Sequence, residues 1–485
     1  MATKDEKRRE MILKGNLMKT ICMICLPLAL YQFFNSCYTL LDQIICAHIS
    51  TTAQNAVSSI GQIKNAISAF GGGLAAGGAV LVSRYYGAGE VHEARHASSN
   101  LFFLSIVTSI ILMLFFIPLA EPLMRLCSIA EDSIKIGVNY FRLQLLELAF
   151  IALNNVFIGL EKAKGNSKMI FYLNLMVLGL KLAFTCLFIY GFNFQDIMYV
   201  EVATIIGQAS LSLIGLFTLF RKKNILRLSL KMILPKKRYM LPILKLSLPI
   251  FLGKFVMNLG KVTVNGICGK YWNEVTDGLI VGTLGVSNNI CGLITSPTNS
   301  FEEGESSIVS QNIGNRNLKR ALRAFVKTLI LASAISLVGY ILMRFVLIDH
   351  LVEWFSSSDD KSEAYKQMVK EIFVWDSLSI IALGINAAVL GLLYGFGKTG
   401  LSSILNLSRI GTRILVLILL HTINPDLSPT FCAGLSMGIS NFVILFLSFM
   451  FMAIFLISVK KKGFKGMHLS DPEPEVSELI YDEED

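Results

Sequence analysis

Three glutamates, Glu302, Glu303 and Glu305, fall inside a long apolar run of this chain. A charge near the middle of a bilayer costs roughly 2.5–3.5 kcal/mol on insertion scales, so such residues must line water, pair with cations or carry protons. On a helix, Glu302 and Glu305 share a face and Glu303 is turned about 100° away. The cluster reads in two ways, as a proton-titrating and cation-attracting wall of a cleft or as a structural ion-pair knot. Lys254 and Lys261 are its nearest cations in chain order. Asp42, near the end of the first apolar run, and Asp376, at the outer end of the tenth, are further acids in costly places, and Lys64, Arg142, Lys181, Arg409 and Arg413 are the corresponding bases.

Other motifs name chemistry that their context does not support. His92-Glu93-Ala94-Arg95-His96 matches H-E-x-x-H, in which two histidines one turn apart hold zinc and the glutamate acts as base. A membrane metalloprotease is therefore a distant alternative, but no third ligand can be named and no metal site is assigned. Gly397-Lys398-Thr399 resembles the end of a phosphate loop, yet the earlier glycine of that motif falls on Leu392 and no strand precedes it. ATP is not expected, and the chain reads as a non-enzyme. Cys22 and Cys25 form a C-x-x-C inside the first apolar run, without the context of a redox motif, and the nine cysteines read mostly as small apolar residues.

These residues must be positioned by membrane helices. The chain is 53% hydrophobic and 16% charged, against about a quarter charged in soluble domains. With about 20 apolar residues needed per crossing, twelve spans are expected, centred roughly on residues 32, 68, 108, 149, 180, 208, 258, 290, 333, 380, 412 and 444. The fold class is all-α integral membrane protein. The first 19 residues are polar and basic, and the apolar run that follows is span-length, so no secretory signal is expected. Basic residues concentrate before the first span, in 221–240 and after the last span, while the intervening outer loops are neutral or acidic. Both termini and the central linker are therefore expected in the cytoplasm of a plasma or inner membrane. The net charge of +10 then addresses anionic lipid headgroups, not nucleic acid.

The chain repeats itself. Val82-Ser83-Arg84-Tyr85-Tyr86-Gly87, with Ala94 and Ala97, recurs as Val309-Ser310-Gln311-Asn312-Ile313-Gly314, with Ala321 and Ala324, at an offset of 227. Asn154, Gly159, Gly165, Asn174, Gly179 and Lys181 recur at an offset of 232 as Asn386, Gly391, Gly397, Asn406, Gly411 and Arg413. Two pseudo-symmetric six-helix lobes follow, at 20–220 and 241–459, with a cytoplasmic segment 1–19, a basic linker 221–240 and a cytoplasmic tail 460–485. Equal even numbers of spans place the symmetry axis along the membrane normal, with substrate bound between lobes. The repeat relation of Lys181 and Arg413 points to a shared pairing task within each lobe. Pro27, Pro249 and Pro297 mark expected kinks or hinges, and Gly71, Gly72, Gly73, Gly77 and Gly78 form a face that allows close helix approach.

The runs Ser83-Arg84-Tyr85-Tyr86-Gly87-Ala88-Gly89-Glu90 and Lys164-Gly165-Asn166-Ser167-Lys168 resemble those of multidrug and toxic compound extrusion (MATE) transporters. The resemblance implies secondary active efflux by alternating access. It implies a monomer that takes small molecules, usually drug-like organic cations, and no cofactor beyond H⁺ or Na⁺ as coupling ion. Lipid-linked oligosaccharide flippases share the plan and are the alternative. The family pattern places the coupling site at Asp42 with Asn174 and Thr204. The position one turn after Asn174 is Leu178 where relatives have a second polar residue, which weakens sodium and favours a protonatable Asp42. The basic lining leaves anionic or zwitterionic substrates open.

Overall fold

The computed structural model describes residues 4–49, 51–126, 131–194, 196–276, 279–354 and 362–462. Every regular element among them is helical. The helices are α1 (Lys4–Lys14), α2 (Leu17–Ile49), α3 (Thr51–Ala88), α4 (Val91–Phe116), α5 (Ala120–Leu126), α6 (Glu131–Ala163), α7 (Ser167–Cys186) and α8 (Met198–Phe220). There follow α9 (Leu230–Ile233), α10 (Lys237–Trp272), α11 (Leu279–Gly314), α12 (Leu318–Leu342), α13 (Ile348–Trp354), α14 (Ser362–Asp376), α15 (Leu378–Gly395), α16 (Gly400–Ile423) and α17 (Pro429–Lys462). Twelve stretches are long and apolar enough to cross a membrane, and each of the twelve expected centres falls inside one of them, the tenth being the α14–α15 pair. In lipid a helix satisfies its own backbone groups, which is why spans rather than strands form here. Leu114, Leu213, Phe217 and Phe446 stay largely exposed on the outside of the bundle, the inverse of a water-soluble surface.

The repeat seen in the sequence is also a repeat of backbone. Gly89 and Arg316, 227 residues apart, both take positive φ (90° and 55°), each just before a span, α4 or α12. Gly165 and Gly397, 232 apart, take φ of 72° and 73° after α6 and α15. Asn154 and Asn386 do one job in each lobe: Ser212 of α8 donates to Asn154 at 2.9 Å, and Ser448 of α17 donates to Asn386 at 2.7 Å. The chain is thus two related six-helix lobes, which touch mainly through α3 against α10 and α11, and through α2 against α11.

Small residues bring the lobes together at the end that carries α1 and α9, here called the basic end. A Cβ on Gly77 would sit 2.6 Å from the Ser247 nitrogen of α10, and one on Gly73 would sit 2.7 Å from the Phe251 nitrogen. A Cβ on Gly87 would likewise collide with the Gln311 backbone, and one on Gly314 with the carbonyl of Arg84. Side chains then cross between lobes: Ser307 Oγ donates to the Lys162 carbonyl at 2.8 Å and Gln311 Nε2 to the Ala163 carbonyl at 2.7 Å. The expected glycine face is divided among neighbours: Gly73 and Gly77 meet α10, Gly71 meets Ala152 of α6, Gly78 meets Leu101 of α4, and Gly72 has open space.

The amphiphilic α1 straps this closed end. Arg9 donates to the Gly87 carbonyl (2.9 Å) and Tyr86 to the Asp5 carbonyl (2.8 Å), both in the first lobe. Arg320 of the second lobe reaches the carbonyls of Ile12 (3.0 Å) and Gly15 (2.6 Å). Pro27, Pro249 and Pro297 lie inside α2, α10 and α11, which remain helical through them.

Gly77→Val should lower the melting temperature of the detergent-solubilised protein through overpacking worth about 1–3 kcal/mol; an unchanged melt means that α3 and α10 are not in backbone contact. Arg320→Ala should speed amide exchange in residues 4–14 and leave α16 unaffected, and equal protection in both proteins refutes the strap.

Candidate functional site

Beyond the glycine contact the lobes part around a cavity of about 730 Å³. Its first-lobe side is lightly polar, with Gln32, Asn65, Ser68, Gly72 and Asn155. The second lobe supplies the charges: Lys254 and Lys261 from α10, Glu302 and Glu303 from α11, Asp376 from the end of α14, and Arg409 and Arg413 from α16. Asn258, Asn288, Asn289, Asn386 and Asn406 line the same cavity. A chamber of about 210 Å³ continues toward the basic end and shares Lys254, Glu302, Glu303 and Tyr394 with the larger one.

The glutamates divide differently from the expected helical faces. Glu302 and Glu303 both reach the cavity, whereas Glu305 is fully buried and, among the described residues, neither of its carboxyl oxygens has a hydrogen-bond partner. A Cβ on Gly391 of α15 would lie 3.0 Å from Glu305 Oε2, so the side chain is wedged against that helix. Glu302 lies angularly between the other two, about 100° from one and 60° from the other. The cavity opens on the Glu303 side, and helix packing closes the Glu305 side. Such a niche tolerates a neutral carboxylic acid but not a carboxylate. The partner of Glu303 is Lys162 of α6, in direct ion-pair contact across the lobes, and not Lys254 or Lys261. Among the described residues neither of those two lysines has a carboxylate within ion-pair distance, although they line the same cavity as the acids. Lys254 still lies within electrostatic reach of Glu302 and Glu303.

The first lobe holds a second polar centre. Lys64 of α3 contacts the carboxylate of Glu147 on α6 and lies 3.7 Å from Glu201 on α8. Gln144 donates to Glu201 at 3.3 Å and to the Tyr140 hydroxyl at 2.8 Å. The two acids are 1% and 2% exposed and lie within electrostatic reach of each other. Sequence reasoning singled out Lys64 but not these acids, although each interrupts an apolar run, Leu145-Leu146-Glu147-Leu148 and Tyr199-Val200-Glu201-Val202. The criterion that found Glu302 would have found both.

The remaining expected residues are placed as follows. The side chain of Asp42 lies outside the described residues. Asn174 donates to the Ile170 carbonyl (2.8 Å) and Thr204 to that of Val200 (3.0 Å), each within its own helix. Lys181 sits 4.1 Å over the ring of Tyr38, whereas Arg413 donates to Ser440 at 3.2 Å; the repeat-related pair does not share partners. Asp376 is buried and accepts from Ser287 at 3.0 Å.

The two family-like loops turn out to be fasteners. Lys164 bonds Glu161 (2.6 Å) and Asn224 (3.0 Å), and Asn166 donates to Glu161 (2.6 Å), all buried. The H-E-x-x-H glutamate is likewise engaged, since Glu93 accepts from Tyr239 at 2.6 Å and from Arg238 at 3.2 Å, and His96 stacks on Tyr239. That sequence pins the basic linker to α4. Among the described residues no group of three or more metal-ligating side chains forms. Lys398, in the α15–α16 turn, is held below its ordinary pKa by partial burial.

Comparison with known proteins gives a consistent answer. The chain is similar to the multidrug export protein MepA of Staphylococcus haemolyticus, with 20% identity over 88% of this chain and 94% of that protein. It is similar to a probable multidrug resistance protein, YoeA of Bacillus subtilis, with 21% identity over 63% of this chain and 67% of that one. Among solved structures, an outward-facing multidrug resistance MATE transporter superposes with TM-score 0.85 at 19% identity, covering 95% of this chain and all of that one. A transporter of the same superfamily from Pyrococcus furiosus, described as having a binding pocket of reversed polarity, superposes with TM-score 0.85 at 18% identity over 95% and 99% of the two chains. The MatE family profile matches residues 27–187 and 249–419, which cover most of both lobes. The chain therefore belongs to the MatE family of multi-pass membrane transporters.

Proposed function

We propose that this protein is a multidrug-type efflux transporter, an antiporter that exports small organic molecules by alternating access in exchange for protons. The observation that carries this reading is a polar cavity between two related lobes that is sealed at one end by close backbone contact. Rocking such lobes about the cavity moves its opening from one membrane face to the other. The basic loops support a cytoplasmic position for the sealed end and both termini, in a plasma or inner membrane.

Proton coupling is supported by the first-lobe carboxyl pair. Two buried acids face one lysine there, and a proton taken up or released by the pair would change the charge facing Lys64. Since Lys64 and the acids come from α3, α6 and α8, the change is felt by three helices, one of which forms the seal. The apolar Leu178 one turn after Asn174 favours a proton over sodium. Asp42 remains a second acid candidate in the same lobe.

In proteoliposomes carrying ethidium or a carboxylated dye of similar size, an imposed proton gradient should drive transport and a sodium gradient should not. Glu147→Gln combined with Glu201→Gln should reduce gradient-driven transport by roughly 5- to 150-fold, the usual range of coupling between sites, while gradient-free dye exchange persists. Transport driven equally by sodium, or undiminished in the double variant, overturns the proton assignment. Asp42→Asn in parallel shows whether a further carboxyl takes part.

A further inference from the structure

The outer wall of the cavity carries positive charge that the protein does not neutralise. Arg409 and Arg413, one turn apart on α16, share a face and line the cavity with Lys261 of α10. The arginines are 9% and 2% exposed. Each spends its Nε on a neutral group of α17: Arg409 donates to Asn441 Oδ1 at 2.9 Å and Arg413 to Ser440 Oγ at 3.2 Å. The remaining contact of Arg409 is a weak one from Nη1 to the Met257 sulfur, at 4.0 Å. Among the described residues no carboxylate lies within ion-pair distance of any of the three cations.

Among the described residues Asp376 is the acid within electrostatic reach of all three, and Ser287 already holds its Oδ2. Lys254 lies two turns away from Lys261, about 10 Å along α10, and faces Glu302 and Glu303 instead. Three bases therefore oppose one acid on this wall. Burying a guanidinium without a counter-charge is costly, and the cost is removed when an anion occupies the space. Two planar forks on one helix face suit an oxyanion with two or more oxygens. The uncharged lining is rich in amide side chains, and Tyr394 is its one aromatic residue among those described, which leaves little surface to receive a lipophilic cation.

Resting on the transporter reading above, we propose that Lys261, Arg409 and Arg413 form a subsite for the carboxylate, phosphate or sulfonate of a hydrophilic organic anion. The exported molecules are then anionic or zwitterionic. The acid-rich inner zone, with Glu302 and Glu303, receives any cationic end of the same molecule.

The test is equilibrium binding to the full-length protein in a neutral maltoside detergent, so that no gradient is needed. Carboxyfluorescein and benzenesulfonate are the anionic probes and ethidium the cationic one, followed by fluorescence anisotropy and by competition. Both anions should bind, and Lys261→Gln, Arg409→Gln and Arg413→Gln should each weaken them by about tenfold, the loss of one charge-assisted contact, with ethidium affinity unchanged or raised. Arg409→Lys should retain more anion affinity than Arg409→Gln at equal melting temperature, separating charge from folding. The proposal is overturned if neither anion binds at millimolar concentration, or if the glutamine variants bind anions like the wild type. It is also overturned if phosphatidylglycerol displaces the probes completely, since that marks a lipid headgroup site. Anion binding without gradient-driven transport would refute the antiporter reading and leave this subsite standing.

Discussion

The cost of placing charge in a bilayer governs this molecule. Every ionisable side chain within the spans has to be matched inside a lobe, matched across the lobes or left facing water. All three solutions are present: Glu147 and Glu201 against Lys64 within the first lobe, Glu303 against Lys162 across the interface, and Lys261 with the two arginines toward the cavity. Glu305 is a fourth case, buried with no donor among the described residues, an environment that is costly for a carboxylate. Helix positions follow from these demands, because a span that carries such a residue cannot rotate its charged face toward lipid.

Much of the architecture could be read from the chain because the bilayer simplifies the problem. A span must be long and apolar, so all twelve centres could be marked from composition alone. The repeat was legible because two residue patterns recur at constant offsets, and the structure shows why: the repeated positions are those with unusual backbone or lobe-internal side-chain bonds, as at Gly165 and Gly397 or at Asn154 and Asn386. The site was harder to read. Helical angle alone grouped Glu302 with Glu305, but which arc of α11 meets water depends on where α15 and α2 pack. The ion pair of Glu303 with Lys162 joins residues 141 apart, and no local spacing announces it.

The two lobes have kept their framework and divided their chemistry. Their turns and their Asn–Ser ties are equivalent, yet the first lobe holds its charges in a compact internal cluster while the second turns most of its charges to the cavity. Repeat-related Lys181 and Arg413 illustrate the divergence, one lying over an aromatic ring and the other bonded to a serine hydroxyl beside the cavity. In the proposed mechanism one half responds to the ion and the other holds the cargo, so the lobe interface becomes the place where the two are compared.

The seal at the basic end is made largely of main chain, with glycines where side chains would otherwise meet. A barrier built from side chains can flicker, since exposed rotamers turn over in picoseconds to nanoseconds and admit water as they do. Apposed backbones have no such freedom and part only when whole helices move, which takes microseconds to milliseconds. Leakage of protons or solutes through the closed end is therefore tied to the transport stroke itself. The membrane stays electrically tight during the long intervals in which the transporter waits for cargo.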